Sequence, residues 1–370
     1  MPNRGGLAVY VTSHGFGHLN RTVAVLNLVP HDVPIVIRCH ASLFDRWRER
    51  LTRPCRFDEY VSDVGAVNPP GDSAATDGPT TLALAEQVHA RAMAGVDDHV
   101  QILREEGTAA VLCDASAVPL VAAKRAGIPG FLLGNFFWSE IYTPHARKIG
   151  DDALRFVDTL KDAYRHASLV FRTEPALAMT GLARVENVGH VVNRGRDRRS
   201  ELKDHLGLSD QDKLVYFYVG RYGQEGLGWE RMASMRGTHF IGFHPPEGVS
   251  PGNFHAIPAI DWNGADLAAS CDAMVTKAGY GTVTEAIASG TPIVYPPRAG
   301  FAEHRALVRV LKMWGGGVPA SSRAFAEMRL KPLLDKAFSL KTAASPFPLD
   351  GAERVANRLV EACRYGRLAS

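Results

Sequence analysis

Unbroken apolar runs, rather than alternating ones, recur through the first 136 residues: LAVYVTS from Leu7, PIVIRCH from Pro34, AAVLCDAS from Ala109 and GIPGFLLGNF from Gly127. Strands covered on both faces read this way, because every side chain meets an apolar neighbour whichever way it points. Helical stretches such as LVAAKRAG lie between them, with apolar positions three and four apart. A second series starts at KLVYFYVGRYG, from Lys213, and continues through THFIGFH, NFHAIP, CDAMVTKAG and TPIVYPP. The pattern predicts an α/β chain of two Rossmann-like domains, each a parallel sheet between helices.

The polar stretches place the boundaries. NRGRDRRSELKDHLGLSDQD carries charge without strand character, so the expected organisation is an N-terminal domain over 1–190, a linker over 191–212, a C-terminal domain over 213–345 and a final helix over 346–370 that returns to the N-terminal domain. The stretch NPPGDSAATDGPTT reads as a loop, with its Pro, Gly, Ser and Thr content.

Composition narrows the chemistry. The chain has 370 residues, 46% hydrophobic and 22% charged, with 42 basic against 39 acidic side chains. A formal charge of +3 raises no field that would gather nucleic acid, so small or weakly charged partners are expected. Five scattered cysteines, Cys39, Cys55, Cys113, Cys271 and Cys363, never form a CxxC pair. That argues against a disulfide framework or a zinc site and fits a reducing cytoplasm. No apolar run reaches the roughly 18 residues of a membrane span.

Two turns carry candidate chemistry. After the first strand, Gly15-Phe16-Gly17-His18-Leu19-Asn20 begins like the dinucleotide fingerprint, but Asn20 stands where a third glycine is needed, which disfavours a Rossmann oxidoreductase. Either His14 and His18 finish strand and turn hydrogen bonds, or they face a ligand that the glycines let approach. In the second half, a buried strand runs into Lys277-Ala278-Gly279-Tyr280-Gly281, and a helix is expected from Thr282 to Gly290. Its first N–H groups, the Thr282 hydroxyl and the Lys277 ammonium suit a diphosphate, and Glu285 suits ribose hydroxyls. Thr282 and Glu285 also have capping-box spacing, which leaves a purely structural reading open. No Walker A pattern is present.

The second turn resembles the signature of nucleotide-sugar-dependent glycosyltransferases of GT-B architecture, the UDP-glycosyltransferases and the lipid II-forming N-acetylglucosaminyltransferases. Their box His-Cys-Gly-Trp-Asn-Ser, followed by Thr-Leu-Glu-Ala, lies without gaps on Lys277 to Ala286. Gly279, Tyr280 and Thr282 match its Gly, aromatic and hydroxyl positions, and Glu285 its ribose-binding Glu. The stretch FAEH is similar to the family's Phe-Ala-Asp-Gln, which implies sugar contacts for Glu303 and His304. VGRYG stands at the glycine loop, implying Gly220 and Arg221 near the phosphates, and Trp262 or Ile260 falls where the base packs. His18 matches the catalytic base and Asp114 the residue that orients it; GIPGFLLGNFFWSEIY resembles a bacterial branch and the N-terminal part of plant arabinokinases.

The resemblance implies two domains facing across a cleft, closing on the donor, with no metal or other cofactor. The implied reaction moves a sugar from a nucleoside diphosphate, with a UDP-sugar the expected donor, onto a hydroxyl or amine with inversion. His14, Phe16, Phe136, Phe137, Trp138 and Glu140 are the expected acceptor side. Lys277 in place of a His, Gly281 in place of Asn and Glu303-His304 in place of Asp-Gln depart from the pattern. A sugar-nucleotide epimerase and a noncatalytic nucleotide-sugar-binding protein are the alternatives.

Overall fold

The computed structural model describes residues 5–14, 16–69, 76–182, 184–219, 227–243, 251–259, 261–298 and 301–366. Gly220 and Arg221, expected on the phosphate loop, lie outside the described residues, as do Gly15 and Ile260. The chain divides into two compact units. One gathers the chain up to Pro69, Thr76–Val191 and Phe347–Ser370, and the other is built on Val192–Pro346.

The first unit holds β1 (Gly6–Val11), β2 (Ile35–Cys39), β3 (Arg56–Glu59), β4 (Thr108–Asp114), β5 (Gly130–Gly134), β6 (Leu169–Thr173) and β7 (Val185–Gly189). They form one parallel sheet in the order β3-β2-β1-β4-β5-β6-β7. β5 is buried at every residue and β1 at all but its first, as a sheet covered on both faces requires. β3, RFDE, is an edge strand with half-buried and exposed side chains, so its sequence carries no apolar run. The final helix, Gly351–Tyr365, packs Val355, Leu359 and Ala362 into the core that Leu7 and Val9 of β1 share.

In the second unit β8 (Lys213–Tyr218), β9 (Thr238–Gly242), β10 (Phe254–Ala256), β11 (Ala273–Thr276), β12 (Ile293–Tyr295) and β13 (Gly317–Pro319) form a parallel sheet in the order β10-β9-β8-β11-β12-β13. The segment expected as a linker is built into this unit. Residues Arg199–Leu206 are helical with Leu202 buried, Arg196 N–H donates to Asp266 Oδ1 at 2.8 Å, and Arg198 N–H to Ser270 Oγ at 2.9 Å. Even a charged side chain is built in there, Lys203 being buried with its Nζ donating to Asp210 O at 2.8 Å, so a polar sequence hid an ordered element.

In each sheet the strand order reverses at one place, between β1 and β4 and between β8 and β11. Connections leave such a pair of strands in opposite directions, which opens a crevice at their carboxyl ends where ligands of α/β sheets bind. Both turns picked out in the sequence fall at these two places.

Candidate active site

Val11 pairs with Asp114 across β1 and β4, which brings the helix after β1, Phe16–Leu26, over the end of β4. His18 Nδ1 lies 2.7 Å from Asp114 Oδ1. Asp114 is fully buried and His18 nearly so. A helix brings positions three and four apart to one face, and here those positions are Arg21 and Thr22. Arg21 Nε donates to Asp114 Oδ2 at 2.9 Å, Thr22 Oγ1 donates to the same oxygen at 2.9 Å, and Arg21 Nη2 donates to Oδ1. Arg21 Nη1 reaches Asn135 Oδ1 at 2.7 Å.

Burial alone would push the Asp114 carboxyl up; the Arg21 and His18 charges and hydrogen bonds outweigh it and bring the group down to about 2. Asp114 is therefore an anion that only accepts, so His18 Nδ1 donates to it, and Nε2 is the nitrogen that carries the lone pair of the neutral ring. The 3.0 Å approach of Arg21 Nη2 to His18 Nδ1 is then two donors sharing one acceptor. The imidazole is further held by the rings of Phe136 and Trp138, at 5.6 and 6.1 Å between centroids. Ala115, directly after Asp114, has φ +64°. That left-handed conformation costs a non-glycine residue about 1 kcal/mol or more.

The expected acceptor residues divide. Phe136, Phe137 and Trp138 are buried: Phe136 and Trp138 pack on the His18 imidazole, Trp138 also on His14 and Tyr142, and Phe137 on Tyr164. Glu140 caps its own helix through Phe137 N–H at 3.1 Å and also accepts Met179 N–H at 2.8 Å, which occupies both carboxylate oxygens. His14 Nδ1 accepts Ala66 N–H at 3.3 Å. Gly65, at φ +69°, packs so closely that an added Cβ would stand 2.3 Å from His14 Cβ. Phe16 is exposed at the helix start.

Sequence reasoning missed Arg21, Thr22 and Asn135, although the His18-Arg21-Thr22 spacing marked one helix face. It also missed Asp63. That half-buried carboxylate accepts Ser116 Oγ at 2.7 Å and the Thr12 hydroxyl, so it bridges the ends of β4 and β1. Burial pushes Asp63 up, opposed by those two hydroxyls and by His18.

In the second unit the helix spans Tyr280–Ser289 with Gly279 at its N-cap, two residues earlier than expected. Thr282 is thus the capping side chain, its Oγ1 accepting Gly279 N–H at 3.3 Å. Glu285 stands in the second turn, beyond capping reach. Its Oε2 and the Tyr216 hydroxyl of β8 lie 3.5 and 3.1 Å from where a Cβ on Gly264 would be. Tyr280 is buried, while Gly281 has open space above its Cα. Lys277 is half-buried, and burial and then Arg298 lower its proton affinity. Glu303 is buried, and His304 Nε2 accepts Arg298 N–H at 3.3 Å. Trp262 is buried with the Arg198 guanidinium 3.8 Å from its ring centroid, so one indole face is already covered. Among the described residues no group of three or more His, Cys, Asp or Glu is arranged to hold a metal ion. None of their helices is long and apolar enough to cross a membrane.

Two sheets of Rossmann-like order, each with a crevice at its strand reversal, make this a GT-B fold. A UDP-glucosyltransferase from Polygonum tinctorium matches with TM-score 0.62 and 14% identity, over 98% of this chain and 94% of that one. The calicheamicin glycosyltransferase CalG4 matches at 0.60 and 15%, over 98% and 95%, and MurG of Acinetobacter baumannii at 0.53 and 13%, over 96% and 99%. In sequence the chain is 28% identical over 341 residues to the L-arabinokinase of Arabidopsis thaliana, covering 90% of this chain but only 32% of that protein. No family model matches.

Proposed function

We propose that the chain is an inverting, metal-independent glycosyltransferase that moves a sugar from a nucleoside diphosphate, UDP first among candidates, to a hydroxyl or amine of a small soluble acceptor. The buried His18–Asp114 pair at the strand reversal carries this reading. An acceptor hydroxyl is a poor nucleophile at neutral pH. His18 Nε2 takes its proton as the oxygen attacks the anomeric carbon, and Asp114 stabilises the imidazolium that forms. Attack opposite the leaving group inverts the centre. The departing diphosphate is held by N–H groups of the first turn of the helix that begins at Tyr280, with Lys277; Glu285 takes the ribose, Glu303 and His304 the sugar.

The test incubates the protein with UDP-sugars and an acceptor panel and reads donor-dependent mass gain. His18→Ala is expected to lower turnover by about two to four powers of ten, with UDP affinity unchanged. A His18→Ala protein that keeps most of its turnover sinks the reading. The match to a region of a protein named for a kinase favours a second reading, nucleotide-sugar binding without transfer. It predicts UDP binding with no product from any acceptor.

A further inference from the structure

The carboxyl ends of β11 and β12 gather basic groups, with the charge of Glu303 acting in favour of the Arg298 cation. Lys277 follows β11 and Arg298 follows β12. Arg298 Nη1 donates to Ala278 O at 3.3 Å, which brings the guanidinium beside the residue next to Lys277. The Phe301 ring lies 4.2 Å from the guanidinium carbon and fixes its plane. Among the described residues neither Lys277 nor Arg298 has a carboxylate within ion-pair distance.

Two donors in this cluster are orphaned. Arg298 Nε is buried and makes no hydrogen bond. His304 Nε2 accepts Arg298 N–H, so its proton sits on Nδ1, which is also buried without a partner. Leaving a buried donor unmade costs about 1–3 kcal/mol, more when it is charged. Burial lowers the proton affinity of Lys277, Arg298 and His304 alike, and the Arg298 charge lowers Lys277 and His304 further. Such a cluster is relieved by an anion with several acceptor oxygens.

We propose that Arg298, with Lys277 and His304 Nδ1, forms the anion site that binds the diphosphate of the donor and takes up the charge released as the sugar leaves. This rests on the donor reading above and adds Arg298 to it, a residue that no motif had singled out. It also moves His304 from the sugar to the phosphates. A fixed guanidinium fork matches phosphate oxygens two at a time, which the compact ammonium of Lys277 does not. A cation preorganised in a poorly hydrated place is worth most where negative charge grows, at the leaving group.

The full chain is titrated by calorimetry with UDP, uridine and inorganic pyrophosphate, alongside Arg298→Gln and Lys277→Met, with thermal melting as a check on folding. Each substitution is expected to weaken UDP at least tenfold and pyrophosphate in parallel, while uridine changes less than twofold. Two substitutions on different strands keep the test alive if one fails to fold. UDP affinity equal to that of the unaltered chain in both variants overturns the inference, as does an unaltered chain that binds uridine and UDP equally well and pyrophosphate not at all. Pyrophosphate binding lost in Arg298→Gln, in a chain that ignores both UDP and uridine, would retain the anion site and discard the nucleotide donor.

Discussion

Asp114 and Lys277 occupy equivalent places, the carboxyl end of the strand beside the reversal in each sheet, yet their surroundings are opposite. Asp114 is buried with a guanidinium, an imidazole and a threonine hydroxyl on its two oxygens. Lys277 has a second cation for its neighbour. The first crevice is electrostatically complete before any ligand arrives, as suits a group that must hold one imidazole in one tautomer. The second is incomplete, as suits a place where the missing charge comes and goes with the substrate.

Removing charge should therefore have opposite consequences in the two places. Asp114→Ala leaves Arg21 buried without its anion, and stability should fall by about 3–5 kcal/mol, read by chemical denaturation; a loss under 1 kcal/mol would mean the pair is not closed. Acid tests the same group. Its folded value of about 2 lies below the usual 3.8, so its contribution is present above the unfolded value and is lost as pH falls from 3.8 through 2. The loss amounts to about 2 kcal/mol and should vanish in Asp114→Asn. Thr282→Ala removes the cap at Gly279 in the second unit and should cost about 1 kcal/mol in the same measurement. Lys277→Met should cost nothing or slightly stabilise the free protein, because it removes a desolvated cation that lacks a counterion. A drop of 3 kcal/mol there would show the two crevices to be alike.

Much of the frame was legible along the chain. Nine of the strands stand on the apolar runs that predicted them; eight are interior to their sheets, where a doubly covered parallel strand is largely apolar, and β10 is an edge strand. β3, β7 and β13 were not read: edge strands are short and keep polar side chains, and VENVG and GVP carry no run. Apolar β6, LVFRT, was passed over. Of the site, the glycine turns were visible, whereas Asp63 was not, since a lone carboxylate in a loop has no pattern. The helix after β11 begins two residues early because Gly279 takes the N-cap and Thr282 turns back to it, which puts Glu285 in the second turn.

By itself the sequence determined what is local: which stretches extend, where glycines let the chain turn, and which side chains share a helix face. Tertiary structure decided which charges meet. His18 and Asp114 are 96 residues apart, and no spacing joins them; a resemblance to other proteins suggested the pair, but the β1–β4 register makes it. The same register supplies Arg21 as the counterion of Asp114, while the β11–β12 neighbourhood sets Arg298 beside Lys277. A charge acts through the groups around it in space, and those are chosen by strand order.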